Sequence, residues 1–415
     1  MEKLVGNLVY GQSGGPTSVI NASAYGVITE ALSNKDIIEE VYVMHHGIQG
    51  ALNEDFFQMS IQDKEEIELL KHSPGSAFGT VRYKMPNFRE DETDYIRLLY
   101  IFRKYNIRYF LFNGGNDSMD TCNKIADYMA HVGYEIRVVG VPKTIDNDLP
   151  FTDHTPGFGS AAKYVANTMQ EVAYDMIAYP KGKVTIVEIM GRHAGWLTAA
   201  ASLASLSGHG PDLIYLPEVP FSIEKFKMDV RSSYGSNRQC LIAVSEGLKD
   251  EEGILIGSSS GLRDAFGHFQ LGGVSSKLAN ILNSEMRISS RTIELGTTQR
   301  AASHLQSLTD VTEAIEVGRK AVQYALKGQH GVMVTIERLE GETYKVKYGK
   351  QPLEQVANIE RVIPKSMINK DGNGVTDEFI QYALPLIEGE NPPPYEKGMQ
   401  RFSKFKKWKK WLTIC

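Results

Sequence analysis

Between Leu111 and Leu149 a strand, a glycine turn, a helix, a second strand and an acidic loop follow one another without a gap. An open parallel α/β sheet is the architecture that accommodates this order. The apolar run Tyr109-Phe110-Leu111-Phe112 stops at Asn113-Gly114-Gly115, and helical composition begins at Ser118. Two glycines therefore sit where a strand hands over to a helix N-terminus, where backbone N–H groups can meet an anion. The second strand, residues 136–141, ends in Pro142-Lys143-Thr144-Ile145-Asp146-Asn147-Asp148. In a parallel sheet both loops emerge at the same edge, the edge at which such sheets bind ligands. Any strand-to-helix turn can use a glycine pair. A lysine and two carboxylates on the next strand end turn the pair into a candidate site.

Two other turns repeat the theme. A strand at residues 4–10 leads through Gly11-Gln12-Ser13-Gly14-Gly15-Pro16-Thr17-Ser18 into a helix near Val19. No Gly-Lys-Ser/Thr follows, and the glycine spacing is not that of a dinucleotide fingerprint, so neither a Walker loop nor a nicotinamide site is indicated. The loop at residues 73–82 is rich in glycine and hydroxyls and ends in Arg82, with Lys84 close behind. An arginine fork there suits a phosphate. Three phosphate-type loops in the first 150 residues imply a polyphosphate substrate rather than a hydride carrier.

The later chain continues in the same style, with strands at residues 41–44, 183–190, 212–216, 240–244, 291–295 and 331–337. Helices are expected at residues 161–177, at 197–206 (rich in alanine and serine), from Gly272 onward and at 311–326. Alternation of strands and helices over 415 residues argues for two doubly wound α/β domains. A glycine- and serine-rich insertion spans residues 253–273, and a tail at residues 401–411 interleaves lysine with phenylalanine and tryptophan. The tail is expected to pack its aromatics on the body or on another subunit rather than on nucleic acid or a membrane. A net charge of −5 argues against general nucleic-acid binding. Cys122, Cys240 and Cys415 lack metal-ligand spacing, no apolar run reaches the ~20 residues of a membrane span, and the first residues carry no secretory pattern, so a cytoplasmic protein is expected.

At this point the residues are similar to a known family. SGG at 13–15, GGNDS at 114–118, PKTIDND at 142–148, MGRHAGWL at 190–197, PE at 217–218, SEG at 245–247 and LGTTQR at 295–300 occur in the order found in the phosphofructokinases. The chain resembles their pyrophosphate-dependent branch more closely than the ATP-dependent one. The resemblance implies two three-layer αβα domains with the active site in the cleft between them. Residues 1–157 and 309–364 would form the larger, donor-binding domain, residues 158–308 the smaller, sugar-phosphate domain with an insertion near 250–290, and residues 365–415 an extension. It also implies Mg2+, a homodimer or homotetramer, and the glycolytic transfer of phosphate to fructose 6-phosphate. By the same resemblance Asp146 deprotonates the sugar 1-hydroxyl, flanked by Thr144 and Asp148. Met190, Gly191, Arg192, Glu246 and Arg300 hold the sugar phosphate, and Gly15, Arg82, Gly115, Asn116, Asp117 and Ser118 surround the donor. Lys183 falls where many ATP-dependent members place an arginine in the neighbouring active site. Asn116 stands where most members have an acid that helps bind magnesium, so Asn116 and Asp146 are the metal candidates. Ala301-Ala302 replaces a glycine pair, and His304 is given no role.

Phosphoryl transfer to an alcohol needs a base, a metal on the phosphates and fixed positive charge. Asp146 and Asp148, two residues apart in an extended loop, can face one cavity and divide the base and metal roles. The donor follows from Asp117 and Lys143, where ATP-dependent relatives usually have glycines. A carboxylate at Asp117 repels an α-phosphate and the nucleoside beyond it, and Lys143 offers charge to a phosphate that carries no nucleoside. The same two residues could instead form a loop-to-loop salt bridge. The alternatives are an ATP-dependent 6-phosphofructokinase and, from a different class, a non-catalytic regulatory subunit, which would have less reason to retain Asp146 and Lys143.

Overall fold

A computed structural model describes residues 4–180, 182–235, 238–257 and 272–407. Two sheets organise it. The first has seven strands in the order β11-β10-β5-β4-β1-β2-β3, formed by Gly6–Gln12 (β1), Ile38–Met44 (β2), Phe56–Gln58 (β3), Ile107–Gly114 (β4), Arg137–Pro142 (β5), Val332–Arg338 (β10) and Val346–Pro352 (β11). β1, β2, β4, β5 and β10 run parallel, while β3 and β11 close the edges antiparallel. The second sheet, in the order β7-β8-β6-β9, is wholly parallel and uses Val184–Ile189 (β6), Leu213–Tyr215 (β7), Cys240–Ser245 (β8) and Ser290–Glu294 (β9). Every residue of β1, β6 and β8 is buried. Burial of both faces explains why these strands read as apolar runs instead of alternating.

Each sheet is a layer between helices. One face of the first sheet packs under Ile20–Leu32 and Leu308–Leu326, and the other under Thr93–Lys104 and Asn116–His131. Glycine sets the distance between the first two helices. A Cβ at Gly26 would lie 2.1 Å from the Ile315 carbonyl oxygen, and one at Gly318 would lie 2.2 Å from that of Ser23. The backbones therefore touch, and the late helix seats on the first sheet. The second sheet lies between Phe158–Ile177 on one side and Ile223–Tyr234 with Val274–Glu285 on the other.

One expected element differs. The alanine-rich stretch forms a single α-turn, Trp196–Ala199, and continues as a 3₁₀ helix, Ala200–Ser207. Ser202 and Ser207 donate to the carbonyls of Ala199 and Ala204, three residues back, at 2.7 and 2.8 Å. These local bonds favour the tighter winding, which alanine composition alone does not reveal. Thr93–Lys104 and β11 went unread in the sequence. Most of the glycine- and serine-rich insertion, 258–271, and the tryptophans of the tail lie outside the described residues. The nearer part of the tail does lie on the body: Phe405 stacks on Phe78 with ring centroids 4.8 Å apart.

Candidate active site

The parallel strands deliver their C-terminal ends to one cavity of about 880 Å³. Gly14, Gly15 and Pro16 reach it from the end of β1, Gly115 to Ser118 from β4, Lys143 to Asp146 and Asp148 from β5, Met190 and Arg192 to Ala194 from β6, Glu246 from β8 and Arg300 from the turn after β9. Arg82 and Lys84 complete the wall from the hydroxyl-rich loop. Of the residues expected from sequence, Lys183 and Gly191 alone do not line it. Lys183 is exposed at the opposite end of β6, because a strand separates it from Met190. Gly191 acts through its backbone: its N–H points to Glu246 Oε1 at 3.4 Å and its carbonyl accepts from Ser245 Oγ at 2.5 Å. A Cβ at Gly247 would lie 2.0 Å from the Arg192 carbonyl, so that glycine lets the two turns meet.

At the β4 end of the cavity the helix Asn116–His131 begins, with Asp117 in its first turn. Lys143 is 3% exposed and donates from Nζ to the Gly15 carbonyl at 2.6 Å, tying the β5 loop to the β1 loop. Burial pushes its ammonium down to about 8, against the pull of Asp146 and with the help of Arg300. Arg300 crosses the cleft, so that a Cβ at Gly15 would lie 3.1 Å from its Nη1. Burial and the neighbouring Arg82 charge also lower the Arg300 pKa. Three cations facing one another in a low-dielectric pocket form an anion site.

Asp146 and Asp148 line the same cavity as these cations. Burial raises the Asp146 pKa, Lys143, Arg192 and Arg300 oppose the rise, and Glu360 adds to it. Asp148 is pushed up to about 7 by burial and then by the charges of Asp146 and Glu360. Glu246 also reaches about 7, through burial and Asp146. The backbone N–H of Asp146 donates to Thr144 Oγ1 at 3.0 Å, which fixes the turn. Asn116 Nδ2 points to Asp148 Oδ2 at 3.4 Å. Asn116 Oδ1 and Asp148 Oδ1 are buried without a hydrogen-bond partner. Such oxygens are expensive to bury unless something else binds them.

Sequence reasoning missed three lining residues. His193 was part of a recognised motif but had no assigned role, and its Nδ1 lies 2.8 Å from Glu360 Oε2. Asn358 donates to Asp120 Oδ1 at 3.2 Å. Asn358 and Glu360 come from an irregular segment after β11, where the adjacent charges Glu360-Arg361 amid apolar residues were the available signal.

A family model described as Phosphofructokinase matches residues 7–325. The pyrophosphate–fructose 6-phosphate 1-phosphotransferase of Halomonas elongata is 44% identical, over 96% of this chain and 96% of its own. That of Xanthomonas campestris is 45% identical, over 94% and 93%. The crystal structure of a pyrophosphate-dependent phosphofructokinase from Marinobacter aquaeolei superposes with a TM-score of 0.88 at 40% identity, covering 97% of each chain. Because the family match runs from the first strand to the helix that returns to the first sheet, it takes in every strand end at the cavity, and the chain belongs to the phosphofructokinase family.

Proposed function

We propose that this chain catalyses the reversible, Mg-dependent transfer of a phosphoryl group from pyrophosphate to the 1-hydroxyl of fructose 6-phosphate, giving fructose 1,6-bisphosphate and phosphate. The observation that carries the donor assignment is the joint presence of Asp117 and buried Lys143 in the cavity wall, with Lys143 Nζ 2.6 Å from the Gly15 carbonyl. The names of the two bacterial relatives support it.

Asp146 takes the proton of the 1-hydroxyl as that oxygen attacks the terminal phosphorus of pyrophosphate. The bridging P–O bond breaks and inorganic phosphate leaves with the bond's electron pair. A carboxylate pKa raised by burial suits a base that must accept a proton near neutrality. Lys143, Arg82 and Arg300, with the backbone at Gly115 to Ser118, stabilise the charge on the phosphates. Arg192, Met190, Glu246 and the Gly191 backbone hold the sugar phosphate, and Thr144 fixes the base loop. The partnerless oxygens of Asn116 and Asp148 fit a hard cation that takes one or two protein oxygens and fills its remaining positions with phosphate and water. Mg2+ bound there would neutralise phosphate charge. Asn116 is hydrogen-bonded to Asp148, which favours Asp148 as its partner and leaves Asp146 to its role as base.

Lys183, outside its own cavity, is available to the site of a second copy, and the reading includes a homodimer or homotetramer. The reading places the enzyme in the cytoplasm; among the described residues no helix is long and apolar enough to cross a membrane. The decisive assay measures fructose 1,6-bisphosphate formed by purified protein with Mg2+ and either pyrophosphate or ATP. Turnover with pyrophosphate is expected. Turnover with ATP alone would overturn the donor assignment.

A further inference from the structure

We infer that Arg361 is a positioning residue for the base loop, and that it sets the geometry of Asp146 relative to the sugar-phosphate wall. The inference rests on the phosphoryl-transfer reading above and adds a residue to it.

The loop that carries Asp146 and Asp148 has no strand or helix to hold it. Asn147 between them adopts a left-handed conformation, φ 55°, uncommon for any residue with a Cβ. Its buried carbonyl also needs a partner. Arg361 supplies one: Nη2 and Nε donate to the Asn147 oxygen at 2.9 and 3.3 Å. Nη1 donates to the carbonyls of Thr152 and Asp153 at 2.8 and 2.6 Å, and the Arg361 backbone N–H donates to the Asp148 carbonyl at 2.7 Å. One guanidinium and one amide thus hold the chain on both sides of the turn that follows the base. Tyr382 closes the ring, accepting from Asn147 Nδ2 at 2.8 Å and donating to the Asp153 carbonyl at 2.8 Å.

The other side of Arg361 faces the sugar-phosphate wall. Its guanidinium lies over the Trp196 ring, 4.7 Å from the centroid, and its carbonyl accepts from Trp196 Nε1 at 3.1 Å. Two residues on, the Ile363 N–H donates to Glu218 Oε1, which also accepts from Gly195 N–H. Trp196 and Gly195 belong to the turn that brings Met190 and Arg192 to the cavity. Arg361 therefore spans the base loop and the acceptor wall, and its loss displaces one relative to the other. A displacement of about 1 Å at a reacting centre costs roughly 10²-fold in rate.

The test is Arg361→Lys, which retains a charge but cannot form the fork on three carbonyls. The expected result is a kcat lower by roughly 10²-fold, with KM for pyrophosphate and for fructose 6-phosphate changed by less than about threefold. Amide exchange in the peptide covering residues 143–153 should accelerate without substrates present. Arg361→Ala should recover part of the lost kcat with millimolar ethylguanidinium. Trp196→Phe keeps an aromatic ring, smaller than the indole, and removes one hydrogen bond to Arg361; it should show the same effects more weakly and decides the question if the arginine variants do not fold. Wild-type kcat and exchange in these variants would overturn the inference, as would a loss of activity carried by KM or a failure of ethylguanidinium to restore any turnover. Arg338→Met, which loses contacts to Asp153 and the Tyr382 carbonyl but none to Asn147 or Asp148, should lower Tm while leaving kcat near normal. If the wild-type protein does not use pyrophosphate, the phosphoryl-transfer reading fails, and the exchange measurement still decides whether Arg361 holds the loop.

Discussion

The loop from Lys143 to Asp148 and the segment from Asn358 to Ile363 contribute to the same wall, and neither contains a strand or helix. They differ in how they act. The first presents side chains to the cavity, and its chemistry is therefore written in residue types: a lysine and two carboxylates at a strand end. The second acts largely by holding the first, through a backbone N–H and a guanidinium on carbonyl oxygens. Carbonyl acceptors carry no residue signature, so the segment gives no motif. A site's reacting groups are easier to recognise in sequence than the groups that hold them in place.

The comparison can be broken most sharply at the base. Asp146→Asn should reduce kcat by roughly 10³-fold with little change in KM, and near-normal turnover would remove Asp146 from the mechanism. Lys143→Met should follow: a hydrogen bond from a charged group is worth about 1.5–3 kcal/mol, or roughly 10- to 100-fold in kcat/KM for pyrophosphate. Replacing both Asp117 and Lys143 by glycine should raise the ratio of ATP to pyrophosphate use, measured with each donor at saturating sugar phosphate; an unchanged ratio would place donor exclusion elsewhere.

Glu360 tests whether the second segment also acts electrostatically. Its charge raises the pKa values of Asp146 and Asp148. A base works only when deprotonated, so activity falls as pH drops through the raised pKa. Glu360→Gln removes a cause of the rise and should move the acid limb of kcat/KM to lower pH; an unmoved limb would show that Glu360 does not set the pKa of the base. The smallest effect is expected at the tail. Phe405→Ala removes a ring stacked on Phe78 and should cost about 1–2 kcal/mol of stability, seen as a lower Tm, with kcat retained.

Much of the architecture was legible because it follows from periodicity and punctuation. β1, β4 and β5 are apolar runs ended by glycine or proline, and their order requires a parallel sheet. Thr93–Lys104 escaped notice because four of its twelve residues are charged, and its buried face, Tyr95, Leu98, Ile101 and Phe102, is a narrow stripe. The serines that wind 200–207 into a 3₁₀ helix compete with the α-helix through individual hydrogen bonds that composition averages away. Gly191 was expected beside the sugar phosphate, and its role emerges only from the positions of Ser245 and Glu246. Asn358 and Glu360 reach the cavity because β11 turns the chain back across the first sheet, a long-range event with no local cause in the sequence.

The interdigitating glycines of Ile20–Leu32 and Leu308–Leu326 have a consequence for biosynthesis. The second sheet is built from one uninterrupted stretch of chain, whereas the first waits for β10, β11 and the late helix, all made after the second sheet is finished. During translation the emerging first sheet therefore has β5 as an unpaired edge and an uncovered patch around Gly26. Completion of the first sheet is left to contacts of high sequence separation, which form slowly and leave strand edges open to other chains. A bulkier residue at Gly26 or Gly318 would delay that closing step, and its cost would be paid in yield of folded protein before any change in the active site could be measured.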